Sequence, residues 1–66
     1  MLTHQDRVVA ERDELRDRRE KLAAFIGSNP IFATIPEDER VRLRKQLEVM
    51  SQYEQILNER IANFPE

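Results

Sequence analysis

A single cluster of helix-breaking residues divides this chain, and it constrains the fold more than any other feature. The cluster, GSNPIFATIP at residues 27–36, contains the only Gly and two of the three Pro residues of this 66-residue chain. Long segments rich in helix-forming residues lie on either side of it. The sequence therefore predicts an all-α fold, an antiparallel hairpin of two long helices.

Capping signals predict where the two helices begin and end. Thr3 is expected to cap a first helix over about residues 4–26, which Gly27 ends in a left-handed conformation. After a loop over residues 27–35, Thr34 and Glu37 match the spacing of a capping box. They predict a second helix over about residues 36–63, so that the chain forms a single helical hairpin domain.

The second helix carries the clearer apolar pattern, which follows a heptad period with one exception, Glu54. Its members are Leu43, Leu47, Met50, Leu57, Ile61 and Phe64. A second line of Val49, Tyr53 and Ile56 widens the stripe beyond what one partner helix covers. We expect this wide stripe to be buried between subunits.

The small size of the chain also favours association. A chain of 66 residues seldom buries enough apolar surface to offset its ordering entropy, and without Cys no disulfide can help. We therefore expect a helical homo-oligomer. No apolar run is long enough for a membrane span or a secretion signal, so a cytoplasmic location is expected.

Catalytic chemistry has little support in the composition. The chain has no Cys, one His and two Ser residues, and no HxxxH or HExxH spacing. We expect no enzyme, no metal and no cofactor. The net charge of −2, with acids interrupting the bases throughout, disfavours long nucleic acid as a partner.

Binding of a small anion is better supported. Arg12 and Arg19 are seven residues apart and follow the apolar line of Val8, Leu15 and Leu22. At these positions the aliphatic part of an Arg side chain can lie over an interface while its planar guanidinium group binds a phosphate. The alternative is that these arginines pair with Asp or Glu of neighbouring chains. A second basic cluster comprises Arg40, Arg42, Arg44 and Lys45.

Three segments in order carry a family resemblance: HQDRVVAERDEL, then EKLAAFIGSNPIF, then RLRKQLEVMSQYEQILNERIANF. This pattern covers nearly the whole chain and resembles the Acb2/Tad1 hairpin family of tailed phages. Members of that family include sponges that bind the cyclic oligonucleotide signals of CBASS or Thoeris immunity without cleaving them. Acb2 members are helical homo-hexamers with ligands at subunit interfaces.

The resemblance implies a phage anti-defence sponge for cyclic dinucleotides, with trinucleotides as a further ligand class. Lys21 is the residue that it matches to a ligand-gripping Lys, and His4 is the nearest candidate for a stacking residue. The full set of expected ligand-binding residues is Lys21, Arg12, Arg19, His4, Phe25 and Tyr53. The alternative is a non-enzymatic oligomerisation or adaptor module with no small ligand.

Overall fold

The structure is a computed structural model that describes residues 3–65, and in this part of the chain the fold is an elongated helical hairpin. Helix α1 spans His4–Ser28, a 3₁₀ helix spans Pro30–Thr34, and helix α2 spans Glu37–Ala62. The hairpin measures 49 × 19 × 15 Å. No strand occurs among the described residues, and the predicted fold class is confirmed.

Helix α1 begins at the predicted cap. The Thr3 hydroxyl accepts a hydrogen bond from the Asp6 N–H at 3.1 Å, and the Asp6 carboxylate accepts one from the Thr3 N–H at 3.3 Å. Each side chain thus satisfies a backbone donor that the helix itself leaves free. The prediction of Thr3 as the N-cap is confirmed.

The other end of α1 differs from the prediction. The helix continues through Gly27 to Ser28, and no residue within 3–65 has a positive φ, so Gly27 is not a left-handed cap. The cap is Asn29, with an extended φ of −89° and ψ of 121°. Pro30 explains the difference, because the residue before a proline is driven out of the helical region.

The predicted capping box at the start of α2 is also wrong. The Thr34 hydroxyl donates to the Ile31 carbonyl at 2.7 Å inside the 3₁₀ helix, and no side chain caps α2. The N-cap is Pro36, whose carbonyl accepts from the N–H groups of Glu39 and Arg40. The Thr34 hydroxyl thus bonds within the 3₁₀ helix and is not used as a cap for α2.

The apolar turn closes one end of the hairpin. Phe32 is buried, and its ring forms a T-shaped pair with Phe25, with centroids 5.9 Å apart and planes at 83°. The Arg44 guanidinium lies over the Phe32 ring, 5.2 Å from its centroid. Ile31, in contrast, is 59% exposed. Phe32 therefore covers the end of the hairpin, while Ile31 lies on the surface.

The core between the helices is small. Among the described residues three hydrophobic side chains are buried: Val8, Phe32 and Leu57. The other seam positions, such as Leu43 and Leu47, are only partly covered. One layer of contact between two helices explains this, because each helix has water on three sides.

Replacing Leu57 by Ala tests how much of the fold depends on this core. Leu57 is fully buried, so we expect a loss of about 2 to 5 kcal/mol in the free energy of unfolding. Leu47→Ala removes the same atoms from a site that is only partly buried and should cost less. Urea denaturation followed by circular dichroism measures both. Equal losses would show that another surface covers Leu47.

Candidate ligand-binding site

A charged layer interrupts the seam between the two helices. Arg19 on α1 donates from Nε to the Glu54 Oε1 atom on α2 at 2.7 Å, and Arg16 Nε lies 3.6 Å from the other carboxylate oxygen. Glu54 is the exception in the heptad pattern of α2, and Arg19 lies at the corresponding exception in α1. The charged residue that interrupts the apolar pattern of each helix thus pairs with the one that interrupts the pattern of the other.

Arg12 makes a second polar contact across the seam. Its Nη1 donates to Asn58 Oδ1 at 2.9 Å, and its Nε donates to the neighbouring Asp13 carboxylate at 2.8 Å. The acceptors that the alternative interpretation sought on neighbouring chains are therefore present within the hairpin. Any phosphate that binds Arg12 or Arg19 has to share their guanidinium groups with these contacts.

The charged layer shifts the pKa of its acid. The hydrogen bond from Arg19 lowers the pKa of Glu54, and burial opposes this effect without cancelling it. The same hydrogen bond raises the pKa of Arg19. Both shifts favour the charged forms, so the pair stays ionised at neutral pH.

Acid should weaken the hairpin through Glu54. Because the folded chain lowers the pKa of this carboxyl, its contribution is fully present above the pKa of an unfolded Glu and is lost below about pH 4. Thermal melts from pH 7 to pH 2.5 should show this loss, and Glu54→Gln should reduce it. Glu48→Gln, at an exposed position of α2, is the control. Identical pH profiles for both variants would contradict this role of Glu54.

A groove near the turn brings together two of the predicted site residues. The turn-end groove has a volume of about 570 Å³ and contains Lys21 and Phe25. Its remaining lining residues are Ala24, Ser28, Asn29 and Pro30. Lys21 is 77% exposed and its ammonium lies 2.9 Å from Asp17 on the same helix. An exposed cation in the same groove as an aromatic ring can serve a ligand that carries both a phosphate and a base.

A second groove lies at the opposite, open end of the hairpin. The open-end groove has a volume of about 710 Å³ and is lined by Thr3, His4, Gln5, Arg60, Asn63, Phe64 and Pro65. Gln5 donates to the Pro65 carbonyl at 3.1 Å and ties the start of α1 to the end of α2. His4 therefore shares this groove with the Phe64 ring and the Arg60 guanidinium group.

The structure separates the predicted site residues into four places. Lys21 and Phe25 share the turn-end groove, Arg12 and Arg19 lie in the seam, and His4 lies in the open-end groove. The fourth place is the outer face of α2, where Tyr53 is 42% exposed. His4 and Lys21 are 17 residues apart on one helix, or about 25 Å. A ligand that touches both therefore needs two chains.

Sequence reasoning missed two residues of the open-end groove, Arg60 and Phe64. Arg60 lies in the last turn of α2 and Phe64 just beyond its end, whereas the heptad pattern assigns Phe64 to the seam. The RIANF segment contains both the cation and the ring. The sequence alone does not show that His4 lines the same groove as these two residues.

Neither of the two described helices is long and apolar enough to cross a membrane. Within residues 3–65 no three His, Asp or Glu side chains are grouped as they would be around a metal ion.

The family model named Sequestin matches residues 2–63, which is nearly the whole chain and includes both α-helices and the turn-end groove. No curated protein and no solved structure matches the chain. Sequestin is the name of the Acb2/Tad1 sponge family that the three sequence segments resemble. The chain therefore belongs to the Sequestin family.

Proposed function

We propose that this protein is a phage anti-defence sponge. It binds cyclic oligonucleotide immune signals, withholds them from their receptors without cleaving them, and so blocks CBASS-type immunity. The observation that carries this proposal is the family match over residues 2–63, which supports a sequestering role. Cyclic dinucleotides are the primary ligand class, and cyclic trinucleotides are a second one.

The turn-end groove supplies the chemistry that such a ligand needs. A cyclic dinucleotide presents two phosphates and two bases, so its binding site needs cations and flat apolar surfaces. Lys21 and Phe25 offer one of each in a single groove, and the T-shaped contact with Phe32 holds the Phe25 ring in place. Sequestration needs only binding energy, and no acid, base or nucleophile has to be placed at the phosphates.

A complete site requires more than one chain under this proposal. His4 and Lys21 lie at opposite ends of α1, and the grooves that hold them are open to solvent. Subunits of a homo-oligomer, a hexamer by family resemblance, would bring an open end and a turn end together. The protein would act in the cytoplasm of the host cell, where the signals diffuse.

An oligomerisation or adaptor module without a small ligand is the alternative. The exposed apolar residues of α2, including Val49 and Ile56, favour it equally well, because any protein partner could cover them. The two functions differ in one measurable property, which is binding of a small nucleotide.

Calorimetric titration with cyclic di-GMP, cGAMP, a cyclic trinucleotide and a cyclic ADP-ribose isomer tests the proposal. At least one should bind with a Kd below micromolar, because several charge-assisted bonds act on one rigid ring. Lys21→Ala should weaken binding about 10- to 100-fold, the effect of losing one such bond.

Arg42→Ala is the matched control for this titration. Arg42, like Lys21, is an exposed base in an i, i+4 ion pair, with Asp38 at 3.3 Å, but it lies outside both grooves. Its replacement should leave affinity unchanged. Equal losses in both variants would point to a general charge effect, and no binding on the whole panel would favour the adaptor.

The absence of cleavage is a separate prediction. After incubation with each ligand and denaturation of the protein, chromatography should recover the cyclic nucleotide intact. If a linear product accumulated with time, and heat-inactivated protein formed none, the protein would be an enzyme instead.

A further inference from the structure

Two arginines of α2 near the turn carry charges that the hairpin does not balance. Arg40 and Arg44 are four residues apart, which places them on the same side of the helix, about 6 Å apart along its axis. Within residues 3–65 neither guanidinium group makes an ion pair. Arg42 between them, in contrast, pairs with both Asp38 and Glu39. The acids of the first turn are therefore used by a different arginine.

Arg40 also has a buried polar atom that needs an acceptor. The residue lies three positions before Leu43, at the next position of the seam, and it is partly buried. Its Nε atom is buried and has no hydrogen-bond partner in the described part of the chain. A guanidinium group stays protonated in proteins, so the donor cannot be removed by loss of a proton. A buried donor of this kind calls for an acceptor from outside the chain, such as an ion.

Arg44 is held next to this position by an aromatic contact. Its guanidinium group lies over the buried Phe32 ring, 5.2 Å from the centroid. A ring attracts the positive charge but is no substitute for a carboxylate as an acceptor of its N–H groups. The contact therefore positions the cation and leaves its hydrogen-bonding capacity for a ligand.

The charge balance of the pair favours a dianion. Like charges at this helical spacing repel each other, and the exposed acids one turn before and after the pair, Glu37 and Glu48, make no ion pair with it. Planar guanidinium groups match the oxygens of a phosphate. A terminal phosphate group carries about two negative charges at neutral pH and can balance both arginines. Each phosphodiester of a cyclic nucleotide carries only one.

We propose that Arg40 and Arg44 form a binding site for a dianionic phosphate group, which is either inorganic phosphate or the terminal phosphate of a mononucleotide. The bound phosphate accepts from Arg40 Nε and relieves the repulsion between the two cations, so it stabilises the hairpin beside the turn. Neither arginine lines the turn-end groove or the open-end groove. The site is thus separate from the one proposed for cyclic ligands, and it does not depend on the sponge function.

Thermal melting followed by circular dichroism tests the site, with sodium phosphate compared with sodium chloride at the same ionic strength. The melting temperature of the natural chain should be about 4 to 8 °C higher when phosphate is present at about five times its Kd. Because the ionic strength is matched, general screening of charge cannot produce this difference. An equal melting temperature in the two salts would overturn the proposal.

Replacing Arg40 by Met separates ligand binding from a structural role, because Met keeps an aliphatic side chain and removes the charge and the unpaired donor. In chloride this variant should melt no lower than the natural chain, and in phosphate it should show no rise. Arg44→Met should also lose the rise, and Arg42→Met, at an exposed position one turn from the acids that it pairs with, should keep it. A lower melting temperature of Arg40→Met in chloride with an unchanged phosphate response would show a structural role and overturn the proposal.

Titration followed by nuclear magnetic resonance identifies the source of the phosphate group. Inorganic phosphate and adenosine monophosphate should shift the amide signals around Arg40 and Arg44, and Arg40→Met should weaken this binding about 10-fold or more. Equal affinities support a site for the phosphate group alone, whereas tighter binding of the nucleotide supports a mononucleotide site. Cyclic di-GMP is the control ligand. If its binding depended on Arg40 to the same extent, the site would not select a dianion and the proposal would be wrong.

Discussion

The hairpin depends on the contact of Arg19 with Glu54. Three buried hydrophobic side chains are few for two helices of about 25 residues, and an apolar seam alone tolerates slippage by one heptad. The 2.7 Å bond between Arg19 and Glu54 does not tolerate slippage, because a shift of one helix would leave these two mostly covered charges without partners. The pair, together with Arg12 and Asn58, therefore determines the register of α1 against α2.

This use of the arginines affects where a ligand can bind. Arg12 and Arg19 hold the helices together, whereas Lys21 has only an exposed partner on its own helix. Arg12 and Arg19 are therefore committed to contacts across the seam, while Lys21, two residues after Arg19, is open to an anion. The division explains how a small chain with net charge −2 can still offer a local site for a phosphate.

The sequence was informative where a signal depends on nearby residues. The breaker cluster predicted two helices, and Thr3 predicted the first cap, because both effects act within one turn. Gly27 and Thr34 were misassigned since two local motifs competed at each, and Pro30 and the 3₁₀ turn prevailed. The contacts of Arg12 and Arg19 could not be predicted one by one, because their partners lie 46 and 35 residues away. For the same reason the open-end groove, which joins the start of α1 to the end of α2, became visible only once the helices were placed side by side.

The charged layer also restricts how such a chain can evolve. A change of Glu54 alone leaves Arg16 and Arg19, which are neighbours on α1, without the carboxylate that they share. A change of Arg19 alone leaves Glu54 in the seam with Arg16 as its one cation, 3.6 Å away. Positions 19 and 54 should therefore vary together among relatives, either as an opposite charge pair or as two apolar residues that extend the heptads. Lineages of the second kind would hold their two helices in register by packing alone.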